Sequence, residues 1–235
     1  MTLTVVRRKP TSEMIEEMDR QIGRVLQALD KNGLTENSIV IFTSDNGGER
    51  FADTWPFSGK KTELLEGGLR IPALISWPER IRGGVTTEQV SIGMDWMPTL
   101  LAAAGTQPDP AYPTDGMNLL PILTRNSEPI PRKLSWRYKA NAQRAARHGN
   151  HKFLKILDNT FLFDVVEDPL ERANLKARKK DVYRQIVREW YEWNGSMLPE
   201  IKESFTASFD GKDLADHFGA KEPDQTPDIP GSPDD

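Results

Sequence analysis

Apolar and polar positions over residues 11–33 alternate with the period of an α-helix. Thr11 or Ser12 can cap the start of this helix, and Asn32-Gly33 is a typical end. The apolar positions at helical spacing are Ile15, Met18, Ile22, Val25, Leu26 and Leu29. The pattern predicts one amphipathic helix with a single apolar face.

The pattern then changes to short apolar runs. Residues 38–44 form a continuous β-branched and apolar run, which is typical of a strand buried on both faces. A polar, glycine-rich stretch covers residues 45–70, and residues 71–77 form a second strand-like run. A helix is predicted over residues 94–104, with Gly105 as its end. This order of elements predicts a three-layer α/β domain.

A second region has a different pattern. It contains four short strand-like runs separated by turn residues, over 134–138, 142–147, 152–157 and 161–164. An amphipathic helix over residues 181–193 closes the region. We therefore predict a small, mostly antiparallel α+β subdomain.

Composition divides the chain into three parts. Residues 1–125 are predicted to hold the α/β portion and 126–199 the small α+β subdomain. Residues 200–235 carry ten acidic residues against three lysines, and four prolines follow Lys221. We expect this acidic tail to be disordered.

Overall composition narrows the classes of partner and site. The net charge of -4 predicts neither nucleic acid nor an anionic membrane as a partner. The sequence contains no run of eighteen apolar residues, so it predicts no membrane span. The N-terminus lacks a signal peptide pattern, so the chain as written is expected in the cytoplasm, which leaves a periplasmic or secreted parent protein open. The absence of cysteine excludes disulfides, thiolate metal sites and a cysteine nucleophile in this sequence.

The first candidate for chemistry is Ser44–Gly48, which we call the metal segment because of the role predicted for it. It follows a predicted buried strand, and ligands of open α/β sheets bind at the carboxyl ends of strands. Asp45 offers a carboxylate and Asn46 an amide oxygen, both suited to Ca²⁺ or Mg²⁺. Asp-Asn-Gly is also common turn chemistry, so the segment alone does not decide between a metal site and a turn.

The second candidate is Gly59–Pro72, which we call the lysine loop. It contains Glu-Gly-Gly-Leu-Arg-Ile-Pro, and Lys61 stands five residues before Glu66. Together with Ser-Asp-Asn-Gly in the metal segment, this pattern closely resembles the sulfatase family of the alkaline phosphatase superfamily. In that family a lysine at this spacing contacts the substrate sulfate. The resemblance thus assigns substrate contact to Lys61, with Lys60 as the alternative if the register slips by one.

The resemblance covers roughly residues 11–195. Beyond the two motifs it includes the helix before the metal segment, the helix after the second strand, and two C-terminal landmarks. These stretches are 14–26, 94–100, 115–119 and 162–175. The resemblance implies part of a three-layer α/β/α, alkaline-phosphatase-like domain followed by a small α+β C-terminal subdomain.

The resemblance also implies a reaction, an arylsulfatase-like hydrolysis of a sulfuric ester. In the family a cysteine in Cys-x-Pro-x-Arg is oxidised to formylglycine, and a divalent cation, usually Ca²⁺, holds this nucleophile and the sulfate. Asp45 and Asn46 would be two metal ligands, and Lys61 the catalytic and substrate-binding cation. The expected substrate is a sulfate ester, including sulfated glycans.

The sequence departs from the family in one respect that decides activity. It contains no cysteine, and Ser127–Arg132, the nearest serine counterpart, is one residue too long and is interpreted as a loop. Formylglycine and the remaining ligands are therefore expected only in an N-terminal half upstream of residue 11. We predict that this half is a required partner and that the chain alone is inactive.

Two other functions stay open at this point. Metal and lysine also suit a phosphatase or phosphonate hydrolase of the same superfamily. A non-catalytic remnant could instead bind anionic glycans through residues 132–155, which hold eight basic residues and no acidic one. Glu66 and Arg70 are predicted to form an ion pair within the lysine loop. His148 and His151 flank a predicted hairpin turn, and His217 lies in the tail.

Overall fold

The computed structural model describes residues 10–49, 52–125 and 128–201. The chain divides into two compact units, each described by itself below. The first unit comprises the residues up to Ser44 and Pro72–Ile130, and the second comprises Asp45–Ile71 and the residues from Pro131 onward. The domain boundaries drawn from composition remain a prediction. Most of the acidic tail, from residue 202 onward, lies outside the described residues.

The first unit contains the two predicted helices and the two predicted strands. Its elements are α1 (Pro10–Lys31), β1 (Val40–Thr43), β2 (Ala73–Ser76), α3 (Trp96–Ala103) and α4 (Leu120–Arg125). A 3-10 turn at Gly93–Asp95 leads into α3, and Gly105 has the left-handed φ of +75° that ends a helix. Both helix predictions are confirmed, whereas α4 was not predicted.

The expectation of a strand buried on both faces is wrong for β1. In the described residues β1 pairs antiparallel with β2 alone, and this two-stranded sheet leaves large apolar side chains uncovered. Phe42 lies opposite Leu74, and these side chains are 37% and 64% exposed. The helix α1 also exposes its apolar residues Met18 and Val25. The apolar run was identified correctly, but a two-stranded sheet supplies no layer to cover it.

Two of the stretches that carry the resemblance, 94–100 and 115–119, are joined by hydrogen bonds in the first unit. The Asp95 carboxylate accepts the main-chain N–H of Met117 at 2.8 Å, and the Thr99 hydroxyl accepts that of Leu119 at 2.8 Å. Both side chains are buried. Because buried polar groups need partners, these residues hold the segment 115–119 against the start of α3.

The second unit is built on an antiparallel four-stranded sheet in the order β3-β4-β5-β6. The strands are β3 (Lys133–Tyr138), β4 (Gln143–His148), β5 (His151–Ile156) and β6 (Asn159–Asp164), and the helices are α2 (Glu66–Leu69) and α5 (Lys180–Gly195). All four predicted strands and the closing helix are confirmed. No helix among the described residues is both long and apolar enough to cross a membrane.

Both faces of this sheet are covered. Side chains alternate between the faces of a strand, so Phe153 and Leu154 point in opposite directions. Phe153 packs with the buried face of α5, which comprises Tyr183, Ile186, Val187 and Trp190. Leu154 packs on the other face with Leu64 and Leu65. The lysine loop therefore forms one of the two layers that cover the sheet, and the sheet supports the loop through this packing.

Candidate functional site

The metal segment and the lysine loop are joined through their main chains in the second unit. The N–H of Gly47 donates to the carbonyl of Gly68 at 2.9 Å, and the N–H of Lys61 donates to the carbonyl of Gly48 at 2.8 Å. A Cβ atom at Gly47 would collide with the Gly67 carbonyl. The close approach of the two backbones thus requires a glycine at this position.

Asp45 and Asn46 come two and three residues after the end of β1. The Asn46 amide donates to Asp45 Oδ1 at 2.7 Å, so the two side chains lie together. Their oxygens are of the kind that Ca²⁺ prefers, but Ca²⁺ takes six to eight ligands. Among the described residues, no group of three or more His, Cys, Asp or Glu side chains is arranged to hold a metal. The pair therefore fits a divalent cation in kind and supplies only part of its ligands.

Lys61 presents its ammonium group to solvent beside the metal segment. Its side chain is 44% exposed, and Nζ lies 3.6 Å from a carboxylate oxygen of the still more exposed Glu49. Exposed ion pairs of this kind contribute little, so an anion can compete for this ammonium. Lys60 is also exposed, and its main-chain N–H donates to the Glu63 carboxylate at 3.1 Å. Burial raises the pKa of Glu63 although the charge of Lys60 opposes the shift.

The predicted ion pair between Glu66 and Arg70 is replaced by two other contacts. The guanidinium of Arg70 lies over the ring of Phe57, 4.7 Å from its centre. Glu66 is buried and pairs with Lys152 at 2.9 Å. Sequence proximity suggested the first pairing, but the fold places a distant lysine directly against the carboxylate. Trp55, which precedes the lysine loop, is 75% exposed.

Sequence reasoning missed Lys152, Glu171 and Gln143, which support the lysine loop from the sheet side. Lys152 Nζ lies 2.9 Å from carboxylate oxygens of both Glu66 and Glu171, and all three groups are buried. Gln143 accepts the N–H of Leu64 at 2.8 Å and is buried as well. A signal was present, because strand alternation places Lys152 on the same face as apolar residues. A lysine on an apolar face indicates a buried partner.

Comparison with known proteins identifies the family. The family model described as Sulfatase matches residues 8–106. Human N-acetylgalactosamine-6-sulfatase is 35% identical over 149 residues, which are 60% of this chain and 28% of that protein. The crystal structure of Ps i-CgsB in complex with k-i-k-neocarrahexaose superimposes with a TM-score of 0.71 at 29% identity, and the match covers 81% of this chain and 45% of that one. This chain belongs to the sulfatase family.

The chain matches only part of each relative, and its fold is also found in a phosphonate hydrolase. This sulfatase-family chain spans less than half the length of the relatives above. Phosphonate monoester hydrolase of Agrobacterium radiobacter shares the fold, with a TM-score of 0.57 at 22% identity over 79% of this chain and 40% of that one. The predicted α/β, alkaline-phosphatase-like fold class is therefore confirmed.

The basic stretch of this sulfatase-family chain is mostly occupied by internal partners. Arg144 pairs with Glu200 at 2.9 Å, and Lys133 pairs with Glu189 at 2.6 Å. Lys152 is buried. Helix α5 supplies Glu189 and the residues after it supply Glu200, so acidic groups distant in sequence meet Lys133 and Arg144, although Lys133 is still 59% exposed.

The two histidines of the sheet lie at a hairpin, as predicted. Gly149, in the turn between β4 and β5, has a positive φ of 59°. His148 Nδ1 lies 3.2 Å from Glu189, and His151 Nε2 lies 2.8 Å from the ammonium of Lys179. Burial, and then the charge of Lys179, lower the pKa of His151. Both rings are held by neighbours within the second unit. His217 lies outside the described residues.

Proposed function

We propose that the chain carries part of the active site of a sulfuric ester hydrolase of the arylsulfatase type. In this proposal Asp45 and Asn46 are metal ligands and Lys61 binds the sulfate. The supporting observation is the pair of main-chain hydrogen bonds that joins the metal segment to the lysine loop. Lys61 itself makes one of these bonds to Gly48, which favours Lys61 over Lys60 as the sulfate-binding residue.

The proposed metal is Ca²⁺, with Mg²⁺ as the alternative. A bound divalent cation would polarise the sulfate group and neutralise its charge. Asp45 and Asn46 would contribute two hard oxygen ligands. The ammonium of Lys61 would attract the sulfate oxygens as a point charge and stabilise negative charge that grows on them during hydrolysis.

The nucleophile is proposed to come from the N-terminal half of a sulfatase domain, upstream of residue 11. The sequence contains no cysteine that could become formylglycine, and Asp45, Asn46 and Lys61 can only bind and orient an anion. The uncovered apolar residues of α1, β1 and β2 support a partner that covers apolar parts of the first unit. We propose that the partner is the remainder of a sulfatase domain.

The proposed substrate is a sulfate ester on a glycan. One relative is named as a sulfatase of N-acetylgalactosamine 6-sulfate groups, and one solved neighbour holds neocarrahexaose. A phosphonate hydrolase shares the fold alone, so it carries less weight as an alternative. A glycan-binding remnant is disfavoured because two of the basic residues on which it depended, Lys133 and Arg144, pair with acidic residues within the second unit, and Lys152 is buried.

The proposal is tested by joining the chain to a sulfatase N-terminal half that carries Cys-x-Pro-x-Arg, matured by the formylglycine-generating enzyme. We expect cleavage of an activated aryl sulfate in preference to the matching aryl phosphate. Lys61→Ala should reduce turnover at least tenfold, whereas Lys176→Ala, a lysine bonded to Thr160 in the same unit, should not. Equal turnover by the wild-type and Lys61→Ala fusions, or a preference for phosphate, would contradict the proposal.

The metal assignment has a test that needs no turnover. We expect the 235-residue chain to bind Ca²⁺ weakly, with a Kd on the order of 10⁻⁴–10⁻³ M, because two ligands from one segment leave most positions to water. Titration with Tb³⁺ as a luminescent substitute should give a signal that Ca²⁺ displaces. Asp45→Ala should abolish this signal, and Asp158→Ala, an exposed acid in the same unit, should preserve it. Sub-micromolar affinity would mean that the ligand set is larger than the pair.

A further inference from the structure

Three ionisable side chains meet between the sheet and the lysine loop. Lys152 of β5 lies between Glu66 and Glu171, with its Nζ 2.9 Å from an oxygen of each carboxylate. The side chains of Lys152 and Glu171 are 0% exposed and that of Glu66 is 5% exposed. We call these residues the buried triad. Arg147 lies 4.0 Å from the second oxygen of Glu66 and balances the remaining negative charge.

General stability does not explain the buried triad well. Removing charges from water is costly, and a well-packed apolar set in the same space is often as stable or more stable. Buried ionic groups do impose geometry, because each must keep its partner at hydrogen-bond distance. Burial lowers the pKa of Lys152, but the two carboxylates outweigh this effect and raise it, so the ammonium stays charged and keeps both contacts.

The buried triad is bonded directly to the turn that faces the metal segment. Glu66 is the first residue of α2, and its main-chain N–H donates to the second oxygen of Glu171 at 2.6 Å. The next residue, Gly67, donates to the carbonyl of Ser58 at 2.6 Å. One residue further, Gly68 accepts the N–H of Gly47. A single residue thus separates the buried triad from the hydrogen bond that holds the metal segment.

Other contacts anchor the rest of the lysine loop independently. Gln143 accepts the N–H of Leu64 at 2.8 Å and donates to the carbonyl of Thr62 at 2.9 Å. The Ser58 hydroxyl donates to the carbonyl of Leu170 at 2.6 Å. The Gln143 bonds secure the first half of the loop to the sheet, and the Ser58 bond secures the residue before the loop to the segment after β6. The turn formed by Glu66 and the two glycines after it is connected to the sheet through the buried triad.

We propose that Lys152, Glu66 and Glu171 are positioning residues, which hold the turn at Glu66–Gly68 so that it sets the place of Asp45 and Asn46. They touch neither substrate nor metal and act through the Gly47–Gly68 hydrogen bond. The role of the metal segment as a ligand-binding site rests on the proposed function. The mechanical part of the inference, which concerns the turn and the metal segment, does not.

The test is amide hydrogen exchange on the 235-residue chain. In Lys152→Met we expect the amides of Gly47, Gly67 and Gly68 to exchange at least tenfold faster, with a much smaller change in β3–β6 and α5. Lys155→Met is the matched control, because it makes the same substitution on the same strand at a partly exposed lysine. It should leave the three glycine amides unchanged. Uniform acceleration through the sheet, or no acceleration at the glycines, would overturn the proposal.

Two buried carboxylates without an ammonium can prevent folding, so a second variant is needed. Lys152→Met combined with Glu171→Met leaves Glu66 with Arg147 as its counter-charge. If Lys152→Met fails to fold, the same selective acceleration is expected in this double variant. Circular dichroism that matches the wild-type spectrum shows that the sheet is intact. Glycine amides as protected as those of the wild-type chain would refute the positioning role.

A metal titration separates this inference from the proposed function. The probe is Tb³⁺, and the variant is whichever of the two shows selective acceleration at the glycine amides. Its affinity for Tb³⁺ should be at least fivefold lower than that of the wild-type chain, and the affinity of Lys155→Met should match the wild-type value. Selective exchange together with no Tb³⁺ binding by the wild-type chain would support the positioning role and refute the metal assignment. Wild-type Tb³⁺ binding that the variant retains in full would overturn the positioning role while the metal assignment stands.

Discussion

At the scale of single residues, Gly47 is the most constrained position of the candidate site. Its N–H bonds the carbonyl of Gly68, and the carbonyl of Gly67 occupies the space that a Cβ atom would need. The glycine is thus required by packing between two backbones, and the turn type alone would not require it. Any side chain here must move the metal segment away from the lysine loop.

We expect Gly47→Ala to destabilise the chain by about 1–3 kcal/mol, the usual cost of inserting a methyl group into a packed site. The measurement is urea unfolding followed by circular dichroism. Gly195→Ala is the control, because a Cβ atom there meets nothing within 4 Å. Equal unfolding midpoints for Gly47→Ala and the wild-type chain would show that the two segments separate without cost.

At the scale of secondary structure, the second unit depends on the packing of α5 against the sheet. Trp190 is 1% exposed, and its indole N–H donates to the carbonyl of Trp136 in β3 at 2.9 Å. It packs at the edge of Tyr191 and near Trp193, and the guanidinium of Arg144 lies 5.3 Å from its ring centre. One side chain thus connects the helix with two strands.

Trp190→Ala should cost about 3–5 kcal/mol, because it removes a large buried ring and leaves a cavity. Denaturant unfolding monitored by far-ultraviolet circular dichroism measures the loss. Trp55→Ala removes the same ring from a position that is 75% exposed and should change stability by no more than about 0.5 kcal/mol. Similar losses in the two variants would contradict the packing described for α5.

His151, at the hairpin between β4 and β5, is expected to make the stability of the second unit depend on pH. Burial lowers the pKa of His151 first, the ammonium of Lys179 and the charge of His148 lower it further, and Asp164 opposes them. The unfolded chain then binds a proton more readily than the folded chain. His151 therefore contributes stability that is complete above its unfolded pKa, about 6.5, and is lost as the pH falls through its folded pKa.

We expect the urea midpoint to fall between about pH 7.5 and pH 5.5, and to fall less in His151→Gln, which no longer titrates in this window. The same comparison with Lys179→Met should show a smaller fall as well, because one cause of the shift is removed. A midpoint that declines equally in the wild-type chain and in His151→Gln would assign the dependence to other groups.

At the scale of the whole molecule, the two units differ in how far their sheets are covered. The second unit covers both faces of its sheet, with α5 on one side and the lysine loop on the other. The first unit has only two strands in the described residues, and they expose Phe42 and Leu74. An exposed apolar surface of this kind is a site for association. The second unit holds the residues of the proposed site, and the first unit exposes the apolar residues at which a partner is proposed.

We expect the isolated chain to show no hydrolysis of an activated aryl sulfate, even with Ca²⁺ and a formylglycine-generating enzyme. The sequence offers that enzyme no cysteine, and the roles proposed for Asp45, Asn46 and Lys61 are to bind and orient an anion, which supplies no nucleophile. The assay compares purified wild-type chain with Lys61→Ala. Turnover above the rate without enzyme that disappears in Lys61→Ala would show that the chain alone suffices.

The sequence by itself determined the elements that depend on local periodicity. The helices over 11–33 and 181–193 and the four strands of the second unit follow from alternation over a few residues, which reports the period of the backbone directly. The pairing of the two motifs also came from the sequence, through a resemblance that extends over most of the described chain. In the structure the two motifs are in contact through main-chain hydrogen bonds.

The tertiary structure alone decided which groups are buried and which charges meet. Lys152 appeared as one of eight basic residues in its stretch, and only the fold placed it between Glu66 and Glu171. Glu66 appeared to face Arg70, four residues away, but its partner is 86 residues away. The exposure of Phe42 likewise depends on what covers the sheet. Burial and ion pairing are set by contacts between segments distant in sequence, and a local pattern does not contain that information.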